Sequence, residues 1–127
     1  MESLIFLDTH VAIWLYSGRL DLFKPKVLQL INDNQVCISH LVRLEMKYLN
    51  EIGRINQHPD MIIDALIDEI GLVFSSNSIE RLINQAIHLD FTRDPFDRII
   101  VADARLNNSY LISKDQNIKK HYRNTVW

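Results

Sequence analysis

Hydrophobic positions along the chain alternate between two patterns. Short runs of consecutive apolar residues occupy positions 4–7, 36–38, 72–74 and 110–112, and Thr125-Val126-Trp127 is a further short segment of this kind. Continuous runs of this length are typical of strands that are buried on both faces of a parallel sheet. The pattern therefore predicts four to five short strands.

Between these runs, apolar residues recur at spacings of three and four, which is the period of an amphipathic helix. Prolines suited to a first helical turn and short polar residues suited to capping precede these segments, and glycines close several of them. Helices are predicted to start near Asp8, Pro25, His40, Pro59, Ser78, Pro95 and Asp115.

Strands that are separated by helices pair in parallel through right-handed crossovers. The order predicts a three-layer α/β/α sandwich around a small parallel sheet of four to five strands. With 127 residues, of which 47% are hydrophobic and 24% charged, the chain has the size and composition of one globular domain, residues 1–127.

Composition excludes several classes of function. The formal net charge of −2 argues against binding of nucleic acid over the whole surface, and leaves room for a local basic rim. A single cysteine, Cys37, excludes an intramolecular disulfide and a cysteine-based zinc site. There is no basic segment before the first apolar run and no run of the ~18 residues that a membrane span needs, so we expect a cytoplasmic protein without membrane association.

Acidic residues follow two of the predicted strands. Asp8 closes the first strand, and Asp115 lies three residues beyond Ile112 at the end of the fourth. Open α/β sheets bind ligands beyond the carboxyl ends of their strands, so both side chains are expected at the ligand-binding edge.

Three more acids belong to predicted helices. Glu45 is placed on an apolar helical face with Leu41, Leu44, Tyr48 and Ile52, where a carboxylate is costly unless it is paired or holds a metal. Asp94 and Asp97 lie at the start of the helix that Pro95 opens. Taken singly, acids such as Asp8, Asp94 and Asp115 are more often helix caps than ligands, and Asp97 is an acid of the kind that the helix dipole favours.

Several carboxylates at one edge coexist in ionised form only if a cation lies among them. Oxygen ligands without cysteine or a histidine pair favour Mg²⁺ or Mn²⁺ over zinc. Basic residues near the acids are suited to holding the phosphates of a substrate. These are Arg43, Lys47, Arg98 and Lys114.

Four ordered segments resemble one known family. They are Leu7-Asp8-Thr9-His10, then Ile38-Ser39 followed by Glu45, then 94–102 with Asp94-Pro95-Phe96-Asp97-Arg98, and finally Leu111-Ile112-Ser113-Lys114-Asp115. In this order and spacing, which cover nearly the whole chain, they resemble a PIN domain of the VapC-type toxin group.

The resemblance implies a metal-dependent ribonuclease that is the toxin of a toxin–antitoxin pair. By position, Asp8, Glu45, Asp97 and Asp115 match the family's four metal-site acids. Asp94 matches an acid of the subgroup that carries Asp-Pro-Phe-Asp-Arg, and Thr9 and Ser39 match hydroxyl residues that support the site. The resemblance, together with numerous apolar helical faces, also predicts a homodimer.

Two alternatives remain open from the sequence. One is a receiver-like signalling domain, which has this size and a lysine after a late strand, as Lys114 is here. It requires an aspartate at the end of a central strand, whereas the second and third strands end in Ser39 and Ser75. The other is an inactive PIN-fold binding module, against which the complete set of acids argues. The RNA target, the number of metal ions and the antitoxin are not encoded in any motif.

Overall fold

The computed structural model describes residues 3–127, in which strands and helices alternate as the sequence predicts. The strands are β1 (Leu4–Leu7), β2 (Gln35–Ile38), β3 (Val73–Phe74), β4 (Tyr110–Ile112) and β5 (Thr125–Val126). The helices are α1 (Thr9–Tyr16), α2 (Pro25–Asp33), α3 (His40–Glu51), α4 (Pro59–Ile70), α5 (Ile79–Ala86), α6 (Pro95–Leu106) and α7 (Gln116–His121). A 3₁₀ turn at Leu20–Leu22, which the sequence pattern does not predict, connects α1 to α2.

The five strands form one parallel sheet in the order β3-β2-β1-β4-β5. Helices cover the sheet in a three-layer α/β/α arrangement, so the predicted fold class is confirmed. The fifth strand, which the sequence left open, is present and pairs with β4.

The strand order places a topological switch at the centre of the sheet. From β1 the chain builds outward through β2 to β3, and it then returns to add β4 and β5 on the other side of β1. Ligands of open α/β sheets bind outside the carboxyl ends of the strands at such a switch. The crevice expected here lies beyond Leu7 of β1 and Ile112 of β4, which are paired in register.

The hydrophobic core is centred on β1. Ile5, Phe6 and Leu7 are fully buried, which confirms the prediction of a strand covered on both faces. Ile100 of α6 and Ile112 of β4 are also fully buried within the same cluster. Because β1 and β4 are fixed by packing on both sides, the residues that follow them are held on a rigid base.

The apolar face of α3 differs from the expectation. Its core face consists of Val42, Met46 and Leu49, whereas Leu44 and Tyr48 are 57% and 51% exposed. Glu45 lies at the border of the core face and not within a buried apolar stripe. The prediction of a helix in this segment is correct. The helix has two apolar stripes, and only the packing of neighbouring elements determines which of them is buried.

Across residues 3–127, none of the helices combines the length and apolar character needed to cross a membrane.

Candidate active site

Asp8 follows β1 and caps α1. Its Oδ1 accepts a hydrogen bond from the Thr9 backbone N–H at 2.8 Å, which satisfies one of the free donors at the helix start. Its backbone N–H continues the ladder to β4 by donating to the Ile112 carbonyl at 3.0 Å. The residue is only 8% exposed, so this carboxylate is held in one orientation.

Ser113 connects Asp8 to Asp115. The Ser113 Oγ donates to Asp8 Oδ2 at 2.6 Å and accepts from the Asp115 backbone N–H at 3.1 Å. Asp115 in turn caps α7 by accepting from the backbone N–H groups of Asn117 and Ile118 at 2.8 and 3.0 Å. Both aspartates therefore cap helices, as the sequence indicates, and the same two side chains also lie close to each other.

Thr9 connects the first segment to α3. Its side-chain hydroxyl donates to Glu45 Oε1, and Thr9 itself is fully buried. Ser39 caps α3 by accepting from the Leu41 backbone N–H at 3.2 Å. The two hydroxyl residues thus support the acid on α3: Ser39 caps the helix that carries Glu45, and Thr9 orients its carboxylate.

Asp94 and Asp97 lie at the start of α6. Asp94 Oδ1 accepts from the backbone N–H groups of Phe96 at 2.8 Å and Asp97 at 3.3 Å, and Pro95 fills the first helical position. Asp97 makes no capping contact of its own among the described residues, so its half-buried carboxylate is available to the space that the other acids face.

One open cavity of about 490 Å³ is lined by all five acids. The lining residues are Asp8, His10, Val11, Trp14, Glu45, Asp94, Asp97, Lys114 and Asp115. The structure thus gathers acids from four separate segments at the switch point of the sheet.

Burial, together with neighbouring charges, raises the pKa of three of these acids. Burial, followed by the charges of Asp94, Asp8, Glu45 and Asp115, raises the pKa of Asp97 to about 7. Burial is also the largest cause of the raised pKa values of Asp8 and Glu45, and hydrogen bonds from Ser113 and Thr9 partly oppose it. This is the behaviour of carboxylates that share a site without a counter-ion.

The donor set fits a hard divalent cation. It consists of carboxylate oxygens, and each Asp8 oxygen accepts one protein hydrogen bond and retains a second lone pair. Among residues 3–127, no three His, Cys, Asp or Glu side chains are close enough to form a metal shell by themselves. Mg²⁺ commonly keeps several waters and takes only one or two carboxylates, so an open cavity of this kind is compatible with it.

The predicted basic residues do not all reach this cavity. Lys114 lines it. Arg98 does not line this cavity. Its Nε donates to the Thr92 carbonyl at 2.7 Å and so holds the loop before α6 in place. Arg43 and Lys47 line a separate cavity on another side of α3.

Sequence reasoning misses three residues of the site. Ser113 lacks the setting of a nucleophile, although its position between a strand end and Asp115 is a signal for a linking hydroxyl. The sequence favours a surface or helix-start position for His10, with a phosphate contact as the alternative. It favours a core position for Trp14, with a dimer surface as the alternative, whereas both residues line the cavity. For Trp14 the sequence offers no signal, since only the tertiary fold turns α1 towards the acids.

A parallel sheet with acids gathered at its switch point defines a class of α/β protein with a candidate cation-dependent site. The PIN domain family model matches residues 5–124, and the chain belongs to this family. PIN domains are, as a class, nucleases. The resemblance to a PIN domain that the four sequence segments indicate is confirmed.

A solved structure supports the same fold. The chain is similar to one in the crystal structure of VapBC2 from Rickettsia felis bound to a DNA fragment from their promoter. The TM-score is 0.68 at 16% identity, over 97% of this chain and 96% of that chain. No curated protein matches the chain in sequence.

Proposed function

We propose that the chain is a metal-dependent endoribonuclease, the toxin of a toxin–antitoxin pair, in which Asp8, Glu45, Asp97 and Asp115 form the catalytic and metal-binding set. The observation that carries the proposal is the cavity at the switch point, where acids from four segments face one another. Membership of the PIN family supports the nuclease chemistry.

The roles follow from how each carboxylate is held. Asp8 and Asp97 are assigned as direct metal ligands, because Asp8 is rigidly fixed and Asp97 is the acid whose pKa burial and the neighbouring carboxylates raise to about 7. Glu45 and Asp115 complete the shell or position the attacking water. A bound Mg²⁺ or Mn²⁺ would supply a water of lowered pKa and charge stabilisation at the leaving oxygen.

The other cavity residues are suited to the substrate. Lys114 is the cation placed to contact a phosphate that enters among the acids. Thr9 and Ser39 support Glu45, and Asp94 holds the first turn of α6 on which Asp97 lies. Arg98 acts through the loop before α6 and not through the cavity wall.

The partners are part of the same proposal. The similar R. felis structure is that of VapBC2, which supports an antitoxin protein as the partner of this chain. A homodimer, a single domain over 1–127 and a cytoplasmic location complete the proposal. The family match removes the support for a receiver-like domain and leaves an inactive PIN-fold module as the competing interpretation.

The Asp8→Asn variant tests the assignment. Asparagine keeps the capping oxygen for the Thr9 N–H and can pair with Ser113 if that hydroxyl rotates, so we expect a folding stability within about 1–2 kcal/mol of the wild type. Removal of the charge should abolish most Mn²⁺-dependent cleavage of a mixed RNA pool. The measurements are gel analysis of cleavage and a thermal melt.

A conservative change at an unrelated cap serves as the control. Ser78→Asn replaces the cap of α5, which does not line the cavity, and should leave cleavage intact. Wild-type rates from a folded Asp8→Asn protein would remove Asp8 from the catalytic set. Absence of cleavage by the wild type across many RNA sequences would favour the inactive module.

A further inference from the structure

A second cavity, of about 420 Å³, lies on another side of α3 from the acids, and we name it the α3 groove. It is lined by His40, Arg43, Leu44, Lys47, His58, Pro59 and Asp60. Its lining is mainly basic, whereas the cavity of about 490 Å³ that the five acids line, which we name the acid cavity, is mainly acidic. Asp60 is its only carboxylate, whereas the acid cavity has five.

The α3 groove shares the carboxyl edge of the sheet with the acid cavity. His40 lies two residues beyond the end of β2, and it stacks on Phe74, the last residue of β3, at 4.8 Å between ring centroids. Neighbouring strands are about 4.8 Å apart, so β3 lies roughly 10 Å from β1, which precedes Asp8. Neighbouring nucleotides of one extended strand can reach both places.

The donors in the α3 groove are held in place before any ligand arrives. The Arg43 guanidinium lies 5.1 Å from the Phe74 ring centroid, and its Nη1 donates to His40 Nδ1 at 3.4 Å. His58 Nδ1 accepts from the Asp60 backbone N–H at 3.1 Å. Because both imidazoles use Nδ1 as an acceptor, the second ring nitrogen of each carries a hydrogen that it can donate.

The cations of the α3 groove are not neutralised by the protein. In the part of the chain that the structure describes, the ion pair of an arginine or lysine with a carboxylate is Arg19 with Asp21, so neither Arg43 nor Lys47 is engaged in one. A positioned arginine with free donors, a lysine and two imidazole N–H groups form a donor set suited to phosphate oxygens.

We propose that the α3 groove binds a backbone phosphate of the RNA strand whose neighbouring phosphodiester enters the acid cavity. This inference rests on the proposed RNA substrate. The groove supplies affinity that the acid cavity cannot, because five carboxylates repel a polyanion. Phosphate contacts position a strand without reading its bases, so the contribution is independent of sequence.

Binding is measured apart from cleavage, with the full-length protein in EDTA and a fluorescein-labelled single-stranded RNA of mixed sequence. Fluorescence anisotropy at several salt concentrations gives the affinity and its salt dependence. The Arg43→Ala/Lys47→Ala double variant should bind roughly tenfold more weakly, with a log–log salt slope reduced by about 0.7 for the one phosphate that is no longer neutralised.

Two further variants sharpen the test. Asp60→Asn removes the one negative charge of the α3 groove and should bind the RNA several-fold more tightly. Arg105→Ala/Arg123→Ala removes two positive charges just before β4 and β5, at the opposite edge of the sheet, and should leave the affinity unchanged. Thermal melts establish that each variant is folded.

The outcomes separate this inference from the proposed function. RNA binding that depends on Arg43 and Lys47, in a protein that cleaves no RNA, would overturn the proposed function and support the groove as an RNA site. Equal affinity and salt slope in the groove variant and the wild type would overturn the groove, whether or not RNA is cleaved. Labelled polyglutamate that binds through Arg43 and Lys47, with RNA affinity unaffected, would instead make the groove a site for an acidic peptide.

Discussion

At the scale of single residues, three acids of the site have two roles, since each caps a helix and also lines the cavity. Asp8, Asp94 and Asp115 each accept backbone N–H groups at the start of a helix and still line the same cavity. A helix start that follows a strand end points its free donors at the sheet edge, so a capping carboxylate there is also directed at the ligand crevice.

Ser113→Ala tests the link between two of these acids. The alanine removes the donor to Asp8 Oδ2 and the acceptor for the Asp115 N–H, so we expect a loss of about 1–2 kcal/mol in stability. We also expect cleavage to fall about 10- to 100-fold, as for other residues that orient metal ligands. The matched control is Ser109→Ala, at the amino end of β4, where Oγ donates only to the Asn107 carbonyl. Equal losses of cleavage in the two variants would contradict a specific role of Ser113.

The raised pKa of Asp97 predicts how stability depends on pH. Its folded-state pKa of about 7 exceeds the ordinary value of 3.8, so the folded state binds the proton more tightly than the unfolded state. In EDTA, the free energy of unfolding should therefore fall as the pH rises from about 4 to about 7. Asp97→Asn should flatten this decline, and millimolar Mg²⁺ should reverse it near neutral pH because ion binding favours the ionised acids. Urea titrations at several pH values check this, and an identical decline in the variant would argue against it.

At the scale of elements, local chemistry decides where the helices begin and end. Pro25, Pro59 and Pro95 occupy first helical turns, and Gly71 ends α4 in the left-handed conformation with a φ of 66°. These signals are short-range, so the sequence alone predicts the strands and the α-helices correctly, although not the 3₁₀ turn. The prediction for the outer face of α3 is wrong, because the burial of a stripe depends on which neighbouring elements pack against it.

The first turn of α6 offers a test of capping against charge. Asp94→Ala removes the acceptor for the Phe96 and Asp97 N–H groups and should destabilise the protein by about 1 kcal/mol. Asp94→Asn keeps that acceptor and should restore the stability. Chemical denaturation of the two variants checks this, and an equally destabilised asparagine variant would show that the charge of Asp94, not its capping oxygen, stabilises α6.

At the scale of the whole molecule, an exposed apolar surface joins α3 to α5. Tyr48 of α3 is exposed, and its ring lies 6.3 Å from that of Phe96 in α6. Ile83 and Ile87, 44% and 62% exposed, line a neighbouring apolar cavity that includes Pro95. Exposed apolar residues that lie on neighbouring helices in this way are typical of a protein interface.

We therefore expect a homodimer that buries this surface. Light scattering at micromolar concentration should give twice the chain mass of 14.9 kDa. Ile83→Glu should give a folded monomer, since the side chain is already exposed and its replacement leaves the core intact. Met61→Glu, on the exposed side of α4, is the control and should remain dimeric. A monomeric wild type would rule out the dimer.

The sequence by itself determined the class of fold and the composition of the acid set. Alternating buried strands and capped helices leave few arrangements other than a parallel sheet with crossovers, and Asp8 and Asp115 follow strand ends by position alone. These features depend on local periodicity and on the direction of the chain, both of which can be read along it.

Only the tertiary structure decided how those residues combine. The switch between β1 and β4 brings Asp8 beside Ser113 and Asp115, and the packing of α1 against α3 joins Thr9 to Glu45 across 36 positions of sequence. The same packing directs Arg43 and Lys47 away from the acids, although they flank Glu45 in sequence. Helical residues that are two positions apart point to different sides of the helix. Proximity along the chain therefore does not determine which charges share a site.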